Sequence, residues 1–173
     1  FPGACSESPL GAVVQRLLLS PVRASASGCI RGAGPVSLLP TASDAQLGAD
    51  QWGIGPTAVA LRQQGPWTYG ALVNHIESFA GKDSRADVSA TFLQPFLSYS
   101  TPQGRTYGIN TESTYDWEGE DWSVPVNVFA SQVLRVGGQL VSVGGGVRYW
   151  VDGPPGGAEG FGARVIVTLL FPR

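Results

Sequence analysis

Charge, histidine, cysteine and long apolar runs are all scarce in this chain, and each scarcity removes a class of function. Only 14% of the residues are charged, the net charge is -2, and Lys and Arg are dispersed along the chain, so there is no electrostatic footprint for nucleic acid. No apolar stretch approaches the about 20 residues that a membrane helix needs, which excludes a helical membrane protein. Membrane strands carry a much weaker hydropathy signal and are untouched by that exclusion. His75, the only histidine, stands in Asn74-His75-Ile76-Glu77 with no second His and no Cys-x-x-Cys at metal-ligand spacing. No metal site is expected, and a solvated position near a strand end is the expected place for His75. There is no Gly-x-Ser-x-Gly elbow and no motif that pairs a Ser with His75, so no catalytic residue, no cofactor and no enzyme activity are expected. Gly53-Ile54-Gly55 and the triplet Gly144 to Gly146 precede no helical pattern and read as bends or close packing within strands, not as nucleotide loops. Cys5 and Cys29 are the only cysteines, too few to fix a redox compartment, and whether they pair is left open.

What is present is period-two alternation. With 173 residues, 43% of them hydrophobic, 24 Gly and 13 Pro, the chain suits one folded all-β domain. That domain spans residues 10–173 behind an unpatterned leader at 1–9. Four runs carry the pattern most clearly. Tyr107, Ile109, Thr111, Ser113, Tyr115 and Trp117 share one face of the first, against Thr106, Gly108, Asn110, Glu112, Thr114 and Asp116. The second sets Trp122, Val124, Val126, Val128, Ala130 and Leu134 against Ser123, Asn127, Ser131 and Arg135. The third sets Val141, Val143, Val147, Tyr149 and Val151 against Ser142, Gly144, Gly146 and Arg148. The last sets Phe161, Ala163, Val165, Val167, Leu169 and Phe171 against Gly162, Arg164, Ile166 and Thr168. Further strand-like runs cover 28–40, 52–62, 66–80 and 88–100, and the 11–20 stretch fits a strand or a short helix. The total is nine if that stretch is a strand.

The setting of these strands follows from their aromatic residues and their connections. Tyr and Trp gather near run ends while Val and Ala fill the middles, as at two water interfaces, although soluble cores take the same residues. Breaks at Gln63–Gly65, Pro102–Gly104 and Gly137–Gly138 are tight. Those at Thr41–Gln51, Gly81–Asp87, Glu118–Asp121 and Asp152–Gly160 are longer and mostly polar. Alternating tight turns and long loops predict an antiparallel up-and-down transmembrane β-barrel of the outer-membrane type. Since single-chain bacterial barrels have even strand numbers, an odd count of nine predicts an incomplete barrel of about eight or nine strands in this stretch of chain. On the polar faces Asn110, Glu112, Asn127, Arg135, Arg148 and Arg164 are the candidate lumen-lining residues, forming either a polar path or a mutually paired plug. Asp116, Glu118, Glu120 and Asp121 lack the ordered spacing of a calcium loop and read as a solvated loop.

Several stretches, in order, resemble one family. They are LGAVVQRLLLSP at 10–21, GAGPVSLLPTASD at 32–44, LGADQWGIGPTAVAL at 47–61, GPWTYGALVNHIESFAG at 65–81, LQPFLSY at 93–99 and the terminal LLFPR. The family comprises outer-membrane β-barrel transporters named after the meta-cleavage pathway of phenol degradation and sometimes mislabelled neuromedin U. The resemblance runs from Leu10 onward and implies a larger barrel, of which this is the C-terminal portion, behind a signal peptide. Ala12, Arg16 and Arg31 depart from the family pattern. The resemblance implies a channel or transporter for small, hydrophobic or aromatic molecules in the outer membrane of a Gram-negative bacterium, with the lipid bilayer as its surroundings. Outer-membrane proteins further imply that Phe171 is the terminal aromatic read by the assembly machinery. Two other classes stay open: a soluble β-barrel or sandwich that binds a small apolar ligand, and a structural barrel without transport.

Overall fold

Residues that alternate in polarity satisfy their backbone groups only by pairing sideways, and here neighbouring strands in the chain pair throughout apart from β6 and β7. The computed structural model describes residues 13–21, 28–41, 51–81 and 86–171. The leader, Cys5, Ala12, the loop interiors at 42–50 and 82–85, and Pro172 and Arg173 lie outside the described residues, as does any Cys5–Cys29 pairing. The strands are β1 (Val13–Arg16), β2 (Cys29–Leu39), β3 (Gln51–Gln64), β4 (Trp67–Gly81), β5 (Ser89–Ser100), β6 (Arg105–Thr111), β7 (Ser113–Asp116), β8 (Asp121–Val136), β9 (Gln139–Asp152) and β10 (Gly160–Leu170). They form one antiparallel up-and-down sheet in chain order, with β7 beside both β5 and β8. The stretch left open between helix and strand is β1, paired with β2 from Val13↔Leu39 to Arg16↔Val36 and prolonged by the Leu19↔Ala33 bridge.

β6 and β7 are two halves of one strand, which reconciles ten segments with the nine runs of the sequence. The register does not slip across the break: Asn110 opposes Phe96 and Ser113 opposes Leu93 on one side, while Asn110 opposes Asn127 and Thr114 opposes Ser123 on the other. The break falls at Glu112 because its partner across β8 is Pro125. The Glu112 N–H donates to the Pro125 carbonyl at 3.3 Å, but proline has no N–H to return the bond.

One connection is shorter than its polarity suggests. Between β7 and β8 only Trp117–Glu120 turn the chain, and Asp116 Oδ1 accepts from the Glu118 N–H at 3.0 Å and the Gly119 N–H at 3.4 Å. The acidic group there builds an Asx turn, so this loop is tight where a long one was expected. At the opposite end of the sheet the β8–β9 hairpin is closed by Gly137 and Gly138, both with positive φ (55° and 91°), the requirement of a type I′ turn.

The sheet bends strongly. Arg16 on β1 reaches Asn74 on β4, three interstrand spacings or about 14 Å away along the sheet, farther than an arginine spans over a flat surface. The concave face carries Val36, Leu38 and Ile76, the only buried hydrophobic residues among those described, together with the buried polar Thr57, Asn74 and Asn127. The convex face carries the apolar row of every run. Among the described residues 28 large hydrophobic side chains are exposed against three that are buried, the reverse of a soluble core. β1 and β10 each pair on one side only among the described residues, and no pairing among those residues closes the sheet.

Candidate functional site

The polar phase of β6 to β10 converges on one carboxylate. Asn110, Glu112, Asn127, Arg148 and Arg164 belong to four neighbouring strands and all project to the concave face. Asn127, 3% exposed, donates from Nδ2 to Asn110 Oδ1 at 2.7 Å and accepts at Oδ1 from Arg148 Nε at 2.6 Å. Arg148 Nη2 also pairs with Glu112 Oε2. From β10, Arg164 donates to the same carboxylate, Nη1 to Oε1 and Nη2 to both oxygens, each at 3.2 Å. Glu112 is thus shared by two guanidinium groups, and the Asn pair fixes the inner one. Charge-assisted, multidentate bonds of this kind are the strong class and hold planar groups in one orientation.

Five of the six lumen candidates therefore come together and the sixth does not. Arg135 shares their phase, but it opposes Leu140 one pair from the β8–β9 turn and is exposed at the rim. Phe171 follows the end of β10, 74% exposed, on the convex row of Val165, Val167 and Leu169. His75 is half-buried on the convex face, where Nδ1 lies 2.9 Å from Thr91 Oγ1, and Thr91 also accepts from Trp117 Nε1 at 2.8 Å. It is a bonded side chain of the sheet rather than a solvated one.

A second polar group on the concave face was not foreseen. With the Asn74 carboxamide turned so that its oxygen faces β1, Arg16 donates to it from Nε at 3.0 Å and Nη2 at 3.1 Å. The Arg16 guanidinium lies over the Phe92 ring at 5.2 Å, and that of Arg148 lies over Trp150 at 5.3 Å. The one hint in the sequence is that Asn74 interrupts the apolar run of β4 at its centre. Phe92, Phe96, Phe129 and Trp150 all occupy the polar phase, so this face mixes guanidinium groups with rings.

The convex face is organised by depth. Trp67, Tyr69, Tyr99, Tyr107 and Phe171 stand toward the tight-turn end, with Trp67 and Tyr99 in edge contact at 4.9 Å. Toward the loop end Tyr115 packs on Trp117 at 4.8 Å and on Trp122 at 4.9 Å, and Tyr149 on Phe161 at 4.8 Å. Among the described residues no charged side chain of this face stands midway between these belts: Arg31, Arg62 and Arg105 lie toward the tight-turn end and Glu77 toward the loop end. A shallow groove of about 600 Å³ runs from the tight-turn belt toward the middle and is lined by Trp67, Tyr107, Leu97, Ile109, Val128 and Val147 among others.

The chain matches no protein-family model, no curated protein and no solved structure.

Proposed function

We propose that this sheet is the wall of a bacterial outer-membrane β-barrel, with its convex face in lipid and its concave face along an aqueous path, and that the protein passes small molecules across that membrane. The observation that carries the reading is the inverted polarity: of the 28 large hydrophobic side chains exposed among the described residues, all but Val14 lie on one face, and a bonded polar network lies on the other. The two aromatic belts support it in magnitude. From Trp67 to Phe79 on β4 is about 40 Å along the strand at 3.3 Å per residue. A tilt of about 45° reduces this to about 28 Å, against an apolar band of about 25 Å in such barrels. The resemblance carried by the LLPTASD, WGIGPTAVAL and GPWTYGALVN blocks points the same way, without an accompanying family-model match.

In this reading Phe171 belongs to the aromatic belt on the tight-turn side and serves as the terminal residue recognised during assembly. Transport is the part of the proposal that a bilayer tests. The purified protein should need detergent to remain dispersed and should give discrete conductance steps when added to a planar bilayer. A monodisperse protein in detergent-free buffer would overturn the membrane assignment. Detergent dependence without conductance would leave a structural barrel.

A further inference from the structure

The concave face holds more positive charge than its single central carboxylate neutralises, and the surplus comes from both edges of the sheet. Arg16 enters from β1, and Arg148 and Arg164 from β9 and β10. They meet over the same region. Arg16 lies above Phe92, which opposes Thr114, and Glu112 is the next residue of that face on the same strand. Two guanidinium groups therefore hold the Glu112 carboxylate, and that of Arg16 lies over the neighbouring Phe92 on the same face. Glu112 takes hydrogen bonds from Arg148 and Arg164, whereas Arg16 is held by a neutral amide oxygen, with no carboxylate partner among the described residues. Other charges of this face stand at the strand ends, Asp116, Asp121 and Asp152 beside the loops and Arg135 beside the turns.

We infer that this region is a binding site for small organic anions, a carboxylate attached to an apolar body, and that the path it lines prefers anions to cations. Arg16 is exposed and its planar fork matches a carboxylate. The rings beneath the guanidinium groups, Phe92 and Trp150, offer apolar faces next to the charge. Asn74, 2% exposed, sets the position of Arg16 and leaves the outer part of the guanidinium for an incoming anion. Glu112 acts as a counter-ion that keeps Arg148 and Arg164 in place and lowers the local surplus from three charges to two.

The inference rests on the channel reading, and two measurements separate their failures. In a planar bilayer with a KCl gradient, the full-length protein should show a reversal potential of the sign for chloride over potassium. Millimolar benzoate should reduce the current. Arg16→Gln should raise the half-blocking benzoate concentration about tenfold, Arg16→Lys should restore part of that loss, and Glu112→Gln should increase anion preference. Calorimetric titration of the detergent-folded protein with benzoate supplies the second readout and needs no pore. Conductance that is cation-selective, or indifferent to Arg16→Gln, overturns the anion site while the channel survives. Benzoate binding that Arg16→Gln abolishes, without any conductance, upholds the site and removes the channel. Neither conductance nor binding overturns both.

Discussion

Phe129 illustrates how single side chains of the concave face are placed. It lies between Gly108 on β6 and Gly146 on β9, its register partners, and a Cβ at Gly108 would collide with its ring. The ring covers backbone that glycine leaves bare, a pairing that fixes register as well as filling space. Gly108→Val should therefore destabilise the sheet by about 1–3 kcal/mol, and the double variant with Phe129→Ala should recover part of that loss in a chemical denaturation cycle. Glu112 presents the electrostatic counterpart. Removing its carboxylate leaves two guanidinium groups facing each other, so Glu112→Ala should cost about 2 kcal/mol, the scale of a hydrogen bond to a charged group. The additional replacement of Arg164 by Gln should cost little further.

At the scale of elements, proline decides where the long middle strand is interrupted. Since Pro125 opposes Glu112 and cannot return a ladder bond, Pro125→Ala should add one slowly exchanging amide at that position and slow the exchange of its neighbours. Unchanged exchange would mean that the break has another cause. The strand runs and the five-membered network were legible in the sequence because both depend on parity along continuous runs. Asn110, Glu112, Asn127, Arg148 and Arg164 keep the polar phase through the centres of consecutive strands, so their meeting follows from chain order alone. Arg135 shows the limit of parity, which gives the face of the sheet but not the depth along the strand. The Arg16–Asn74–Phe92 group was not legible, because Arg16 on β1 reaches the β4–β5 pair Asn74 and Phe92 only through the bend of the sheet. The tight β7–β8 turn was missed for a local reason: its acidic residues suggested a solvated loop, whereas Asp116 spends its carboxylate on the turn's own N–H groups.

At the scale of the whole molecule the account stands on polarity turned outward. Among the described residues only three hydrophobic side chains are buried, and the proposed lipid setting accounts for the apolar convex surface between two aromatic belts. The most direct measurement is the free energy of folding into lipid vesicles for arginine substitutions on the two faces. Val147 and Val165 lie on the convex face near mid-strand, 56% and 81% exposed, whereas Thr114 and Ser142 belong to the concave phase. Arginine at either valine should cost about 2–4 kcal/mol, the midplane value for such barrels, and much less at Thr114 or Ser142. Equal losses on both faces, or greater ones at Thr114 and Ser142, would contradict the placement of the convex face in the membrane.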